Sequence, residues 1–228
     1  MIETFASLIP GQLRNQSGSV FYSGRAAFAG PASVYVLGAN PGGDPIAMCD
    51  ETLEKHTRFV LEKTKPHWSA YCDESWGDKR SIGEAPLQRR VRHLLSGLEL
   101  DPRFVPSSNL VFVRSRQVMD LGENFDALID LCWPFHAAVL QNVSPAGIIC
   151  LGVNIGEKVA DRVGARESIG SFTEQNNRGW TSKAWRNATG LMVFGLSHPG
   201  RADWTNPKTD PTPLLRNALR EALPKATV

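Results

Sequence analysis

Four short apolar runs, separated by segments with helical spacing, dominate this chain and limit the folds open to it. The runs are Val34–Leu37, Leu110–Val113, Ala146–Val153 and Leu191–Leu196. Strands that alternate with helices usually pair in parallel, because each helix carries the chain back across the sheet. We therefore predict an α/β fold of three layers, α/β/α, around a central, mainly parallel sheet of four strands.

The helical segments carry apolar residues at intervals of three or four positions. They are predicted at Cys49–Lys65, Pro86–Leu98, Phe125–Val143, Ile155–Val163 and Pro213–Leu223. Between them, His67–Arg80 is predicted to be a long loop, Pro106–Asn109 a turn or bulge, and Ser171–Asn187 a polar segment. The outer face of the helix that begins at Pro86 carries Arg89, Arg90 and Arg92, which we expect to be solvated.

Length and composition fit one globular domain. The 228 residues, 42% of them hydrophobic, can bury one sizeable core, so we expect a single domain over residues 1–228, and a monomer. The net charge of +2 is too small to identify a nucleic-acid binder by itself.

The cysteines and the hydropathy pattern bear on compartment and cofactors. Cys49, Cys72, Cys132 and Cys150 show no CxxC spacing, so we predict reduced thiols in a cytoplasmic protein with no metal and no cofactor. No stretch reaches the roughly 18 apolar residues of a membrane span, so no membrane association is expected.

Two polar segments follow apolar runs about 160 positions apart. They read Gly38-Ala39-Asn40-Pro41-Gly42 and Ser197-His198-Pro199-Gly200-Arg201, and a further asparagine, Asn109, precedes another run. Because open α/β sheets bind ligands beyond the carboxyl ends of their strands, Asn40, Asn109 and His198 form a candidate site. The alternative is that the asparagines only cap turns and that His198 is a surface histidine.

The order of these segments resembles the uracil-DNA glycosylase superfamily, in which a Gly-x-Asn/Asp/Ala-Pro motif follows the first strand and a His-Pro-Ser motif follows the last. The segment Asn109–Ser115 and the stretch from Cys132 to Gly152 are also similar to that family. Asn40 and Gly42 match its mismatch-specific and single-strand-selective branches rather than the uracil-specific enzymes with Asp and Tyr. The amino-terminal cysteine pair of its iron-sulfur branch is missing, so no cluster is expected.

The resemblance implies a DNA glycosylase of base excision repair that flips a uracil or related base out of single- or double-stranded DNA. It implies that His198 stabilises the departing base, that Asn40 orients the attacking water and that Asn109 reads the base. Gly38, Ala39, Pro41 and Gly42 would then surround the base, and Pro199, Gly200 and Arg201 would contact DNA, with Arg201 either a wedge or a solvated side chain. The aromatic ring that stacks on the base would be Phe59, Trp68, Tyr71 or Trp76, of which Trp76 is preferred. Gly200 stands where the family has serine, which puts a phosphate contact or the rigidity of the loop in doubt.

A separate basic cluster points to a DNA contact outside the motifs. Arg178, Lys183 and Arg186 alternate with Trp180 and Trp185, a mixture typical of surfaces that bind single strands. A solvated surface is the alternative.

Three other functions stay open. The chain could be a nucleic-acid-binding protein that keeps the glycosylase fold but turns over poorly, as Asn40 and Gly200 permit. It could instead hydrolyse the N-glycosidic bond of a free nucleoside or nucleotide. An esterase built on Ser197 and His198 is disfavoured, because adjacent residues rarely bring a hydroxyl to an imidazole.

Overall fold

The computed structural model describes residues 1–77 and 81–220. Its strands are β1 (Val34–Gly38), β2 (Ser107–Asn109), β3 (Gly147–Cys150), β4 (Glu167–Thr173), β5 (Thr181–Arg186) and β6 (Met192–Gly195). They form one sheet in the order β2-β1-β3-β6-β5-β4. The first four strands in that order are parallel, whereas β5 and β4 add antiparallel. The fold is α/β as predicted, but the four-stranded, mainly parallel sheet was wrong: the sheet is mixed and has six strands in the described residues.

The helices surround this sheet. They are α1 (Ile2–Ser7), α2 (Leu53–Glu62), α3 (Ala70–Asp73), α4 (Pro86–Gly97), α5 (Asn124–Val143), α6 (Val153–Val163) and α7 (Thr212–Leu219). The five predicted helices correspond to α2, α4, α5, α6 and α7, and α5 runs without interruption through Pro134. Residues 78–80 of the predicted loop and 221–223 of the predicted last helix lie outside the described residues. None of the helices in the described part of the chain is long and apolar enough to cross a membrane.

The hydrophobic core lies on both faces of the sheet. Successive side chains of β1 point to opposite faces, so Tyr35 packs with the cluster that includes α1, α5 and α6, and Val36 packs with the cluster of α4 and α7. All five residues of β1 are buried, as expected for a strand covered on both sides.

The second strand begins three residues before the apolar run that predicted it. β2 is Ser107–Asn109, a segment predicted to be a turn or bulge. Its serines are buried because their hydroxyls are satisfied: Ser107 Oγ donates to Val105 O (3.2 Å) and Ser108 Oγ to Val20 O (2.6 Å). The predicted strand at Leu110–Val113 was wrong, because these residues leave the sheet after β2, although Leu110 N still donates to Gly38 O at 2.8 Å.

The polar segment after residue 166 forms a β-hairpin. β4 and β5 pair antiparallel from Glu167 and Arg186 to Thr173 and Thr181. Their alternating polar residues fit an outer part of the sheet with one face toward solvent. The hairpin explains why the segment shows no continuous apolar run.

A buried histidine joins the first two strands to α5. His136 is fully buried, its Nδ1 lies 2.9 Å from Tyr35 Oη, and its Nε2 lies 3.1 Å from Leu110 O. Since a carbonyl only accepts, Nε2 carries the proton and Nδ1 accepts from the tyrosine. Burial lowers the pKa of His136 from 6.5 to about 4, and the hydrogen bonds to the backbone oppose that shift.

This histidine should make the fold sensitive to acid. Because its pKa is lower in the folded chain, the unfolded chain binds the extra proton, so its contribution to stability is complete above pH 6.5 and is lost as the pH falls toward 4. From about pH 7.5 to about pH 5 it should lower the free energy of unfolding by about 2 kcal/mol. Urea unfolding of the wild type and of His136→Gln at both pH values isolates this loss, because His56, whose pKa burial also lowers to about 4, contributes to both proteins. The total loss of stability should be about 2 kcal/mol smaller in His136→Gln. An equal loss in both proteins would contradict the assignment.

Candidate functional site

Both predicted motifs lie at the same edge of the sheet, where the parallel strands end. β1 continues into Asn40 and β6 continues into His198, with β3 between them. The strand ends are joined by hydrogen bonds from Leu151 N to Leu37 O (2.8 Å) and from Leu196 N to Cys150 O (3.1 Å). Two strand spacings separate β1 from β6, about 10 Å. A small ligand at this edge can therefore contact both loops.

The Asn40 side chain is held in one orientation. Its Nδ2 lies 2.8 Å from Ser115 Oγ, 3.0 Å from Pro41 O and 3.3 Å from Val113 O. Ser115 Oγ gives its own proton to Gln117 O (2.7 Å), so toward Asn40 it acts as the acceptor. Because all three neighbours accept, the amide nitrogen must face them. Oδ1 therefore faces away from them as a hydrogen-bond acceptor.

Asn109 carries a buried donor that makes no hydrogen bond of normal geometry. It ends β2 opposite Gly38, only 6% of the residue is exposed, and Nδ2 has no acceptor at normal length and angle in the described part of the chain, although the Tyr22 hydroxyl lies near it. The contact with Gly38 is close, since a Cβ built there would lie 2.0 Å from Asn109 Oδ1. A buried donor left unpaired costs about 1–3 kcal/mol, and a ligand carbonyl that displaced the side chains covering Nδ2 would relieve that cost.

Aromatic rings lie beside this amide. Burial raises the pKa of Tyr22, while its contacts with Ser19 and the Asn109 side chain lower it, which places the tyrosine hydroxyl next to the amide. Trp76, the predicted stacking ring, packs edge-on against Tyr22 (82° between the ring planes), and its Nε1 donates to Glu74 Oε2 at 2.8 Å. Trp76 is half-buried and therefore retains some exposed surface.

The imidazole ring of His198 is held in one tautomer by a backbone hydrogen bond. Gly200 N donates to His198 Nδ1 at 2.9 Å, so in the neutral ring the proton is on Nε2. Although His198 reaches the surface, desolvation by the surrounding protein lowers its pKa, and the charge of Arg201 lowers it further. At neutral pH the imidazole is therefore neutral and donates through Nε2.

Hydrogen bonds to backbone carbonyls hold the loop after His198 in place. Arg201 N and Ala202 N both donate to His198 O (2.9 Å), and the buried Trp204 donates from Nε1 to Ser197 O (3.1 Å). Pro199 is buried, whereas Gly200 and Arg201 are exposed. Within residues 1–77 and 81–220 no acidic side chain pairs with Arg201, so its charge is available to a partner.

The other predicted DNA-contacting cations have partners within the protein. Arg178 pairs with the buried Glu174 (3.1 Å) and donates to Arg201 O (2.7 Å). Lys183 pairs with Glu157 (2.8 Å), and Arg186 pairs with Glu167 (2.6 Å). Each cation remains partly exposed, so a role in DNA binding stays a prediction.

A cleft of about 600 Å³ lies away from these side chains. It opens between the loop after β1, at Pro45 and Cys49, and the start of α5, at Asn124 and Leu128. Val113 and Arg114 form part of its wall, but Asn40, Asn109 and His198 do not. The chemistry of the predicted site, rather than the size of this cleft, identifies the candidate site.

No family model matches the chain, and no curated protein sequence matches it. The assignment of function therefore depends on the geometry at the sheet edge. That geometry adds residues that the sequence did not single out, above all Tyr22 and Ser115. Tyr22 lies far from every motif in sequence, and no local signal could have identified it.

Proposed function

We propose that this protein is a DNA glycosylase that hydrolyses the N-glycosidic bond of uracil or a related deaminated or modified base. The observation that carries the proposal is the buried amide nitrogen of Asn109, which makes no hydrogen bond of normal geometry in the described residues. A donor in that position favours a base edge with a carbonyl, such as O4 of uracil, over one with an amino group. A base reaches a buried amide only when it leaves the stack, so the nucleotide must be extruded.

His198 stabilises the departing base. As the bond to the sugar breaks, negative charge develops on the pyrimidine O2, and a donor already aimed at that oxygen lowers the barrier. The neutral ring with its proton on Nε2 is such a donor, and its hydrogen bond from Gly200 supports this role. Desolvation and the charge of Arg201 lower the pKa of His198, so the donor at neutral pH is the uncharged ring.

Asn40 orients the attacking water. Its nitrogen is engaged by three acceptors, so Oδ1 accepts a hydrogen bond from water on the sugar side of the bond. An amide carries no full negative charge, so it stabilises the positive sugar less than a carboxylate would. We therefore expect a slow enzyme.

The test is a panel of oligonucleotides that carry uracil, hypoxanthine, xanthine or a thymine mismatch, in single and double strands, treated with alkali to cleave abasic sites. Strand cleavage at uracil that depends on the protein is the expected result. Binding without any abasic site would favour the nucleic-acid-binding alternative. Release of uracil from free deoxyuridine, but not from DNA, would favour the nucleoside hydrolase.

A further inference from the structure

One peptide group connects an arginine of α4 to the imidazole of His198. The N–H of Gly200 donates to His198 Nδ1 (2.9 Å), and the carbonyl of the same peptide, Pro199 O, accepts from Arg90 Nη1 at 2.6 Å. A peptide group is planar and rigid, so fixing its oxygen also fixes the direction of its N–H. Arg90 therefore holds the peptide whose N–H contacts His198 Nδ1.

Arg90 is itself held in place. Its side chain is only 19% exposed, and its Nε lies 3.2 Å from Asp203 Oδ1. That carboxylate also accepts from Thr205 N (3.2 Å) and Thr205 Oγ1 (2.8 Å). At the other end, α4 begins with Pro86, and Gln88 closes its first turn by accepting from Ala85 N at 3.0 Å. The Arg90 guanidinium is thus held by its helix, α4, on one side and by the loop that carries Asp203 on the other.

Because residue 200 is glycine, the backbone of this loop needs a restraint such as the Arg90 hydrogen bond. A Cβ there would lie 2.8 Å from His198 Nδ1, so the close contact between backbone and ring favours a residue without a side chain. Glycine gives the backbone more freedom than any other residue. A charged donor on the Pro199 carbonyl limits that freedom and also polarises the peptide, which strengthens its N–H as a donor.

The geometry points to Arg90 as a positioning residue for His198, which acts through the Pro199–Gly200 peptide to keep the ring proton on Nε2. The catalytic part of this inference rests on the proposed glycosylase, but the effect on the ring does not. The other charged groups around the loop are Arg201, next to the ring, Arg178, on the Arg201 carbonyl, and Asp203, on Arg90.

The test compares Arg90→Gln with Arg89→Gln, since Arg89 is the exposed neighbour on the same helix and has no ion pair in the described residues. Long-range ¹H–¹⁵N spectra of the full chain at neutral pH report which ring nitrogen of His198 carries the proton, and His198→Gln assigns the signals. Wild type and Arg89→Gln should show Nε2 protonated and Nδ1 hydrogen-bonded. In Arg90→Gln the Nδ1 signal should move and the two tautomers should mix.

Kinetics supply a second readout. Loss of one hydrogen bond of ordinary net strength corresponds to about a tenfold effect, so kcat for uracil excision should fall about tenfold in Arg90→Gln with KM little changed. An unchanged His198 spectrum in Arg90→Gln would overturn the inference. If Arg90→Gln does not fold, Asp203→Ala, which removes the acceptor that holds Arg90 Nε, carries the same test in weaker form. If the wild type excises no base, the glycosylase proposal fails, and the spectra still decide the role of Arg90.

Discussion

Replacing His198 with alanine should slow uracil excision by about a hundredfold or more, since one donor aimed at developing negative charge contributes about 3 kcal/mol to the transition state. The structure supplies the reason that this donor is prearranged: the Gly200 N–H occupies Nδ1 and leaves the proton on Nε2. Single-turnover rates on a uracil-containing oligonucleotide, with protein in excess, measure the step itself rather than product release.

Ser197→Ala is the matched control for this prediction. The hydroxyl of Ser197 is buried and has no hydrogen-bond partner in the described residues, so its removal should leave the rate within a few-fold of wild type. The pair also tests the esterase alternative, in which both residues would be needed. A His198→Ala protein with an almost unchanged rate would refute the assigned role.

Gly38→Ala should disturb the candidate site by displacing the Asn109 side chain. A Cβ on Gly38 would lie 2.0 Å from Asn109 Oδ1, so the asparagine side chain must move. A displacement of about 1 Å can cost about a hundredfold in rate, and the added methyl in a packed strand should lower the free energy of unfolding by about 1–3 kcal/mol. Excision rates and urea unfolding separate these two effects.

Gly30→Ala is the control here, because a Cβ at Gly30 meets no atom within 4 Å. It should keep both the rate and the stability of the wild type. If Gly38→Ala excises uracil as fast as Gly30→Ala does, the orientation of the Asn109 amide is unimportant, and the observation that carries the proposed function loses its force.

The sequence predicted the parts of the fold that depend on strong local patterns. Alternation of apolar runs with helical segments indicated the parallel strands, and the polar residues after two of them placed Asn40 and His198 at one edge. The position of β2 was predicted wrongly because its serines look like turn residues. The Ser107 hydroxyl bonds locally to Val105 O, but only the fold brings the Ser108 hydroxyl to the Val20 carbonyl that makes its burial possible.

Contacts between distant segments explain the remaining differences. Periodicity placed Arg90 on the outer face of its helix and predicted solvation, yet Arg90 is largely buried because the Pro199 loop, 109 residues away, folds over it. Tyr22 belongs to the site for the same reason: Tyr22 N donates to Ser107 O at 2.9 Å, a contact that no spacing along the chain could indicate.

The segment before β1 sets a limit on shortened versions of this protein. Gly18 N donates to Glu51 O, Ser19 N donates to Phe112 O, and Tyr22 lies beside Asn109, so the first strand is not the first functional part of the chain. A truncation that starts at Val34 would retain both motifs yet remove residues that pack against the candidate site. A shortened protein made to test the proposed activity must therefore keep the leading residues.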